Sequence, residues 1–455
     1  MVKDRLVHKF GGEIASTSKY LKKSAEIIKD NSEYANVAVI SALRGVTKSL
    51  AEKCNYFSKG GSESEIDSYI QELRQMHYNK INYPEEQEII EENLGGKLEE
   101  LKRHLYSIYD LNHTDSLITD KIIVSGENLS SEIFGGYFSK KGIEPEIFTG
   151  REIGIITNNN YGDADIDWKL TAGNIEKYLR PLLEDGITPI ITGFDGKTPE
   201  GKTTTLGRSG SDTTACVIGC DINAKEINLY KTTEGVTSAD PKIVGGKART
   251  IPFMNYHEAM ETGEITHYKG VEYAREREIP ITVRSILNPE IKTIINGNKN
   301  TKKGIKLITC EPGCYLIKID DPKMAEEVGA LGAMSTSMGH YGINLELARD
   351  GFNHLIFVPD SNTTEESINL VRKKLEAEYG KIIISPKVSI LRAIGNIGFD
   401  SHISYIFNKT LEDNTLPEEA LIGSYPAKDS WGLEGMVPDS KSEDIVRKLH
   451  KNLIE

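Results

Sequence analysis

The alternation of two kinds of segment constrains this chain most. Over the first 300 residues, short β-branched runs are separated by stretches whose apolar residues recur at helical spacing. "RLVHKFGG" reads as a strand ending in a glycine turn, and "STSKYLKKSAEIIKD" as a helix ending near Asn31. "NVAVISA" is a buried-strand run, and residues 62–115 are polar with apolar spacing that suits helices. "DKIIVSGE" reads as a strand and "NLSSEIFGGYFSKKG" as a helix ending at Gly142; "EPEIFTG", "ITPIITGF" and "INLYKT" read as further strands. Strands alternating with helices predict an α/β domain with a mostly parallel sheet covered on both faces.

The texture changes from about Cys310. "CYLIKID", "GINLELAR" and "NHLIFVP" are strands, "TEESINLVRKKLEAEYG" is an amphipathic helix, "KVSILRAIG" and "SWGLEGMVP" continue the mix, and "SEDIVRKLHKNLIE" closes as a helix. Units of this size fit small ferredoxin-like modules. The polar stretch "NPEIKTIINGNKNTKKG" places the junction near 289–305.

Bulk composition narrows the function. With 55 basic against 68 acidic residues the net charge is −13, which argues against nucleic acid or an anionic membrane as the main partner. No apolar run approaches the length of a membrane span, and "MVKDRLVHKF" holds no signal-peptide core. The expected location is the cytoplasm. Five cysteines in 455 residues make no disulfide scaffold. Cys216/Cys220 and Cys310/Cys314 lack the tighter spacing of thiolate metal sites and read as small buried thiols; no metal site is expected.

Residues Gly196 to Thr203, "GKTPEGKT", match the phosphate-loop pattern of P-loop nucleotidases letter for letter. The context contradicts the match. Pro199 removes a backbone donor, Glu200 puts a carboxylate in the cradle, and "TTTLGRSGSD" after Lys202 is poor helix material. A turn between two strand-like arms is expected instead.

The stretch that follows, "TLGRSGSDTTACVIG", holds Gly207, Arg208, Gly210, Ser211 and Asp212 ahead of a helical run, with Ser211 or Asp212 as its expected N-cap. A glycine loop feeding a helix is an anion-binding design, and Arg208 offers a planar fork for a carboxylate or phosphate. Other strand ends carry similar chemistry. "KFGG" sets Lys9 beside Gly11 and Gly12, a cation with close-approaching N–H donors. "VISALRGVTKSL" places Ser41 and Thr47, "VSGENLSSEIF" places Glu127, and "TTEGVTSADPK" adds a turn-rich loop. Ligands of open α/β sheets sit at such strand ends.

In order, "KFGG", "SALRGVT", "VSGENLSS", "TLGRSGSDTTA", "EGVTSADPKIV" and "VRSILNPEIKTII" resemble the aspartate kinases of the amino-acid-kinase superfamily over essentially the whole N-terminal 300 residues. The resemblance implies a three-layer αβα catalytic domain over residues 1–300 and a tandem ACT-like regulatory region over 305–455. It implies ATP-dependent phosphorylation of the β-carboxylate of L-aspartate, with Mg2+ on the ATP, as the entry step to lysine, threonine and methionine. Lys9 and Asp212 would be catalytic. Ser41, Thr47, Glu127, Arg208 and Ser211 would bind the amino acid, Arg208 its carboxylate and Glu127 its ammonium. Lys9, Gly11, Gly12, Thr232, Thr237 and Lys242 would meet the nucleotide. A homodimer or higher homo-oligomer through the ACT modules is implied.

The sequence departs from the family pattern on the ATP side. Glu13 follows the glycine pair, Thr232, Thr237 and Lys242 replace the usual residues of the nucleotide loop, and Glu264 stands where a lysine is usual, with Lys269 nearby. Family effector motifs are only loosely matched after residue 305. His267 and His340 read as local hydrogen-bonding residues. Two other readings follow from these departures: a kinase of another acidic amino acid in a specialised pathway, or a weakly active amino-acid-binding regulatory homologue. Retention of Lys9, Glu127, Arg208 and Asp212 favours the enzyme.

Overall fold

A computed structural model describes residues 3–81, 84–263, 268–297, 303–320, 329–350, 354–361, 363–379, 382–385, 387–397, 400–414, 421–422 and 431–455. The chain forms two compact units, Met1–Val236 with Thr250–Thr301, and Thr237–Arg249 with Lys302–Glu455.

The first unit is built on an eight-stranded sheet. Its order across the sheet is Pro145–Thr149, Thr188–Thr192, Ala35–Ile40, Arg5–Phe10, Glu226–Lys231, Ile281–Ser285, Lys292–Asn296 and Phe253–Asn255. Every neighbouring pair is parallel except Ile281–Ser285 with Lys292–Asn296. Helices cover both faces, as the alternation predicts. Ser125–Lys140 packs on the side that Phe10 faces, where the rings of Phe10 and Phe134 stack at 5.7 Å. Gly210–Asp221 packs on the other side, so closely that a Cβ on Gly219 would meet Ile227 and Val7. Successive strand residues point to opposite faces. Lys9 therefore points with Val7 towards Gly210–Asp221, and this parity fixes the geometry of the site.

Several expectations are corrected. "DKIIVSGE" is not a strand; it spans the helix Ser116–Ile123 and the start of Ser125–Lys140. Asp115 caps the first of these by accepting from the Ile118 N–H at 2.8 Å. A short apolar run reads alike in a buried strand and a buried helix, so periodicity alone could not separate them. Neither Ser211 nor Asp212 is an N-cap. Ser209 holds that position in a left-handed conformation, φ 54°, without a side-chain cap, which moves Asp212 into the first helical turn. The polar segment at 289–305 contains the strand Lys292–Asn296. Asp195–Lys197 and Thr203–Thr205 form an antiparallel hairpin, so "GKTPEGKT" is a hairpin turn with no helix at its lysine.

The second unit holds two antiparallel four-stranded sheets, of ACT-like form. One runs Gly304–Cys314, Val388–Asn396, Gly432–Pro438, Leu421–Ile422; the other runs Leu345–Asp350, His354–Pro359, Ile317–Asp320, Ile382–Ile384. Phe407, Leu411, Ile445 and Leu449 from two helices bury the first sheet, and Met334, Met338, Val371 and Leu375 bury the second. The segment Thr237–Arg249 belongs to this unit because Ala239 and Val244 enter the first of these cores. Ser238 Oγ is hydrogen-bonded to the buried His450 at 2.9 Å, and Arg447 donates to the Ile243 carbonyl at 3.0 Å. No helix among the described residues is long and apolar enough to cross a membrane.

Candidate active site

The carboxyl ends of the central strands converge on one buried ion cluster. Lys9 Nζ lies 2.5 Å from Asp212 Oδ1, and Lys231 Nζ lies 3.3 Å from Asp212 Oδ2. The Lys9 and Asp212 side chains are only 8% and 5% exposed. Burial works against the Asp212 charge, but Lys231 and Lys9 outweigh it and hold the carboxyl below its ordinary range. Burial also lowers the Lys9 ammonium, and Asp212 opposes that shift.

Gly11 and Gly12 turn the chain immediately after Lys9. A Cβ on Gly12 would lie 2.7 Å from the Ala42 carbonyl, so this turn passes the neighbouring strand end as only glycine can. A Cβ on Gly11 would lie 3.5 Å from Lys9 Nζ and fill the space over the ammonium. The bare Gly11 backbone thus lies beside the Lys9 ammonium with no side chain of its own to cover it.

Glu127 stands in the first turn of Ser125–Lys140 and is 3% exposed. Its Oε1 accepts from the Ala42 N–H at 3.2 Å, whereas Oε2 is buried without a hydrogen-bond partner. Burial pushes its pKa up to about 8 against the pull of that N–H. An unpartnered buried carboxyl is costly unless a donor or cation arrives to meet it. Ser41 is held nearby, its carbonyl accepting from Ser130 Oγ at 2.7 Å. Thr47 lies in the first turn of Val46–Phe57, which follows Gly45 at φ 87°. Ser211 approaches Gly193 so closely that a Cβ there would lie 2.6 Å from its own. Arg208 is exposed on the loop before the helix and has no ion pair among the described residues.

The expected nucleotide residues divide. Thr232 donates to Glu13 Oε2 at 2.6 Å, and Arg44 takes Glu13 Oε1 at 2.6 Å, so the unexpected acid beside the glycine turn is held by two partners. Thr237 and Lys242 belong to the second unit, where the Thr237 hydroxyl donates to the Ala239 carbonyl and the Lys242 N–H to Asp240. Lys269 is paired with Asp165 and lies 3.9 Å from Asp163. Glu264 and His267 fall outside the described residues, and His340 ends the helix Ala330–His340. All five cysteines are free thiols, four of them buried. Among the described residues no group of three or more His, Cys, Asp or Glu could hold a metal ion.

Sequence reading missed Lys231. It ends the strand "INLYK" much as Lys9 ends "VHKF", and that parallel was the available signal.

The sequence profile of the amino acid kinase family matches residues 4–285. The chain belongs to the amino acid kinase family. Within it, the chain is similar to aspartokinases along its whole length. Aspartokinase 1, chloroplastic, of Arabidopsis thaliana is 27% identical across 99% of this chain and 80% of its own. Lysine-sensitive aspartokinase 3 of Escherichia coli (strain K12) is 24% identical across 99% of both. The crystal structure of E. coli aspartokinase III in complex with aspartate and ADP (R-state) shares the fold, with a TM-score of 0.81 at 22% identity over 99% of this chain and 100% of that one.

Proposed function

We propose that the chain is an aspartate kinase that moves the terminal phosphoryl group of ATP to the β-carboxylate of L-aspartate, giving 4-phospho-L-aspartate. The observation that carries this reading is the presence of two unlike groups: the Lys9 ammonium beside the Gly11–Gly12 turn, and the buried Oε2 of Glu127 with no hydrogen-bond partner. One suits a phosphoryl group and the other an ammonium.

In this reading Glu127 gives up its proton to solvent and meets the substrate ammonium as a carboxylate, while Arg208 takes a substrate carboxylate. Ser41, Thr47 and Ser211 add hydrogen bonds. The attacking carboxylate is already ionised at neutral pH, so no strong base is needed, and rate comes from positioning and charge stabilisation. Lys9 neutralises the phosphoryl in transit, the Gly11–Gly12 N–H groups hold its oxygens, and Asp212 keeps Lys9 aimed. The donors here are ammonium and N–H groups that complement phosphate oxygens, so Mg2+ would arrive on ATP, where it supplies Lewis-acid neutralisation of the phosphates. Thr232 is assigned to the nucleotide. Residues 305–455 are assigned as a regulatory ACT region through which the chain pairs with a second copy, and the cytoplasm as the location.

ADP release from Mg-ATP, measured with L-aspartate, L-glutamate and other small acids, tests the substrate. Release specific to L-aspartate supports the reading; release only with another acid replaces it by a specialised kinase.

A further inference from the structure

Lys231 ends the strand Glu226–Lys231, whose parallel register pairs Tyr230 with Phe10 and so brings Lys231 level with the Gly11 turn. Its ammonium holds one oxygen of Asp212 while Lys9 holds the other. The two lysines differ in exposure. The Lys9 side chain is 8% exposed and that of Lys231 is 30% exposed, so Lys231 stands nearer the solvent.

Charge decides what this arrangement lacks. One carboxylate between two ammonium groups leaves a formal surplus of one positive charge. Glu13 does not cancel it, because its oxygens are taken by Arg44 and Thr232. A partly desolvated surplus cation is stabilised by an anion. The space available to one lies over Gly11, where a Cβ would come within 3.5 Å of Lys9 Nζ and 4.0 Å of the Tyr230 carbonyl, the residue before Lys231.

We propose that Lys231 is a second phosphate-binding lysine, which leaves Asp212 Oδ2 when nucleotide binds and takes an oxygen of the phosphates that stay with ADP. Lys9 keeps the phosphoryl group that moves. No bond is made or broken at Lys231; one ion pair is exchanged for another. The inference rests on the kinase reading and deepens it by naming the group that holds the leaving nucleotide. The competing role is that of a counter-ion, present only to keep Asp212 ionised.

Calorimetric titration of ADP, and separately of L-aspartate, into wild type, Lys231→Thr, Lys231→Gln and Lys231→Arg separates the two roles without relying on turnover. Loss of a charge-assisted contact is expected to weaken ADP binding about 10- to 100-fold in the Thr and Gln variants. The Arg variant should recover most of it, and L-aspartate affinity should stay as in wild type. Unchanged ADP affinity in a folded Thr or Gln variant overturns the proposal and leaves the counter-ion role. Equal losses for ADP and aspartate overturn it as well, because they mark a general collapse of the cluster. A wild type that binds no ADP removes the kinase reading itself, an outcome distinct from a wild type that binds ADP as its variants do.

Discussion

Lys9 and Asp212 meet at 2.5 Å across the seam between the first strand of the sheet and the helix Gly210–Asp221. Removing either partner has different consequences. Lys9→Ala leaves Asp212 paired with Lys231, so folding should survive while turnover drops about 100- to 1,000-fold or more, the scale of a lost preorganised charge contact. Asp212→Ala leaves the buried Lys9 uncompensated and should destabilise the protein by about 3–5 kcal/mol. Thermal unfolding beside steady-state kinetics checks both. Activity surviving in Lys9→Ala would remove Lys9 from the reaction.

Glu127 should impose a pH dependence on amino-acid binding. Its raised pKa means that the empty site holds a proton up to about pH 8. The ammonium of the substrate favours the carboxylate, so binding must expel that proton below this pH. The KM for L-aspartate should therefore rise as pH falls below about 8, approaching tenfold per unit. Glu127→Gln should abolish this dependence together with tight binding. A KM flat with pH in the wild type would contradict the protonated, ammonium-seeking carboxyl.

The same group has a consequence for stability. A raised carboxyl pKa favours the unfolded chain as pH rises from the ordinary value of 4.5, where the unfolded group ionises, to about 8, where the folded group does. Glu127→Gln should thus stabilise the ligand-free protein at about pH 8 and change little near pH 4.5. Melting curves at the two pH values read this directly. Asp212 has the opposite sign: its depressed pKa contributes stability above the ordinary carboxyl value, lost as pH falls through the folded one.

Gly12→Ala should couple stability to substrate binding. The added Cβ would press on the Ala42 carbonyl from 2.7 Å, and the Ala42 N–H is the donor that holds Glu127. Overpacking of this kind costs about 1–3 kcal/mol. Urea unfolding should show the loss, and the KM for L-aspartate should rise with it.

Arg208→Ala should raise that KM sharply and leave the melting temperature alone, because Arg208 is exposed and makes no ion pair among the described residues. An unchanged KM would take Arg208 out of the substrate site.

Five strands of the sheet were legible in the sequence because each is a short run rich in apolar and β-branched residues closed by a turn signal, whereas Phe253–Asn255, Ile281–Ser285 and Lys292–Asn296 were not read as strands. Lys9 could be nominated from a strand end and Asp212 from the glycine loop ahead of its helix, while Glu127 was nominated from a supposed strand end that is the first turn of the helix Ser125–Lys140. The geometry of Lys9 and Asp212 depends on the parity of Arg5–Phe10 and on the tight seat of the helix Gly210–Asp221 against it. "DKIIVSGE" was misread because its apolar run is too short to show a period. The seat of Thr237–Arg249 in the second unit was illegible for another reason: it is set by Ala239 and Val244 packing with the distant helix Asp439–Leu453, which no local pattern encodes. Lys231 was missed because a lysine ending a strand ordinarily serves solubility, and only its distance to Asp212 gives it a further role.

The central claim is that a carboxylate of L-aspartate is phosphorylated at this cluster. Trapping with hydroxylamine, using purified protein, Mg-ATP and L-aspartate, tests it most directly, since an acyl phosphate is captured as the hydroxamate. Aspartyl β-hydroxamate formed by the wild type and lost in Lys9→Ala is the expected result. Folded wild-type protein that yields no hydroxamate from L-aspartate would contradict the account.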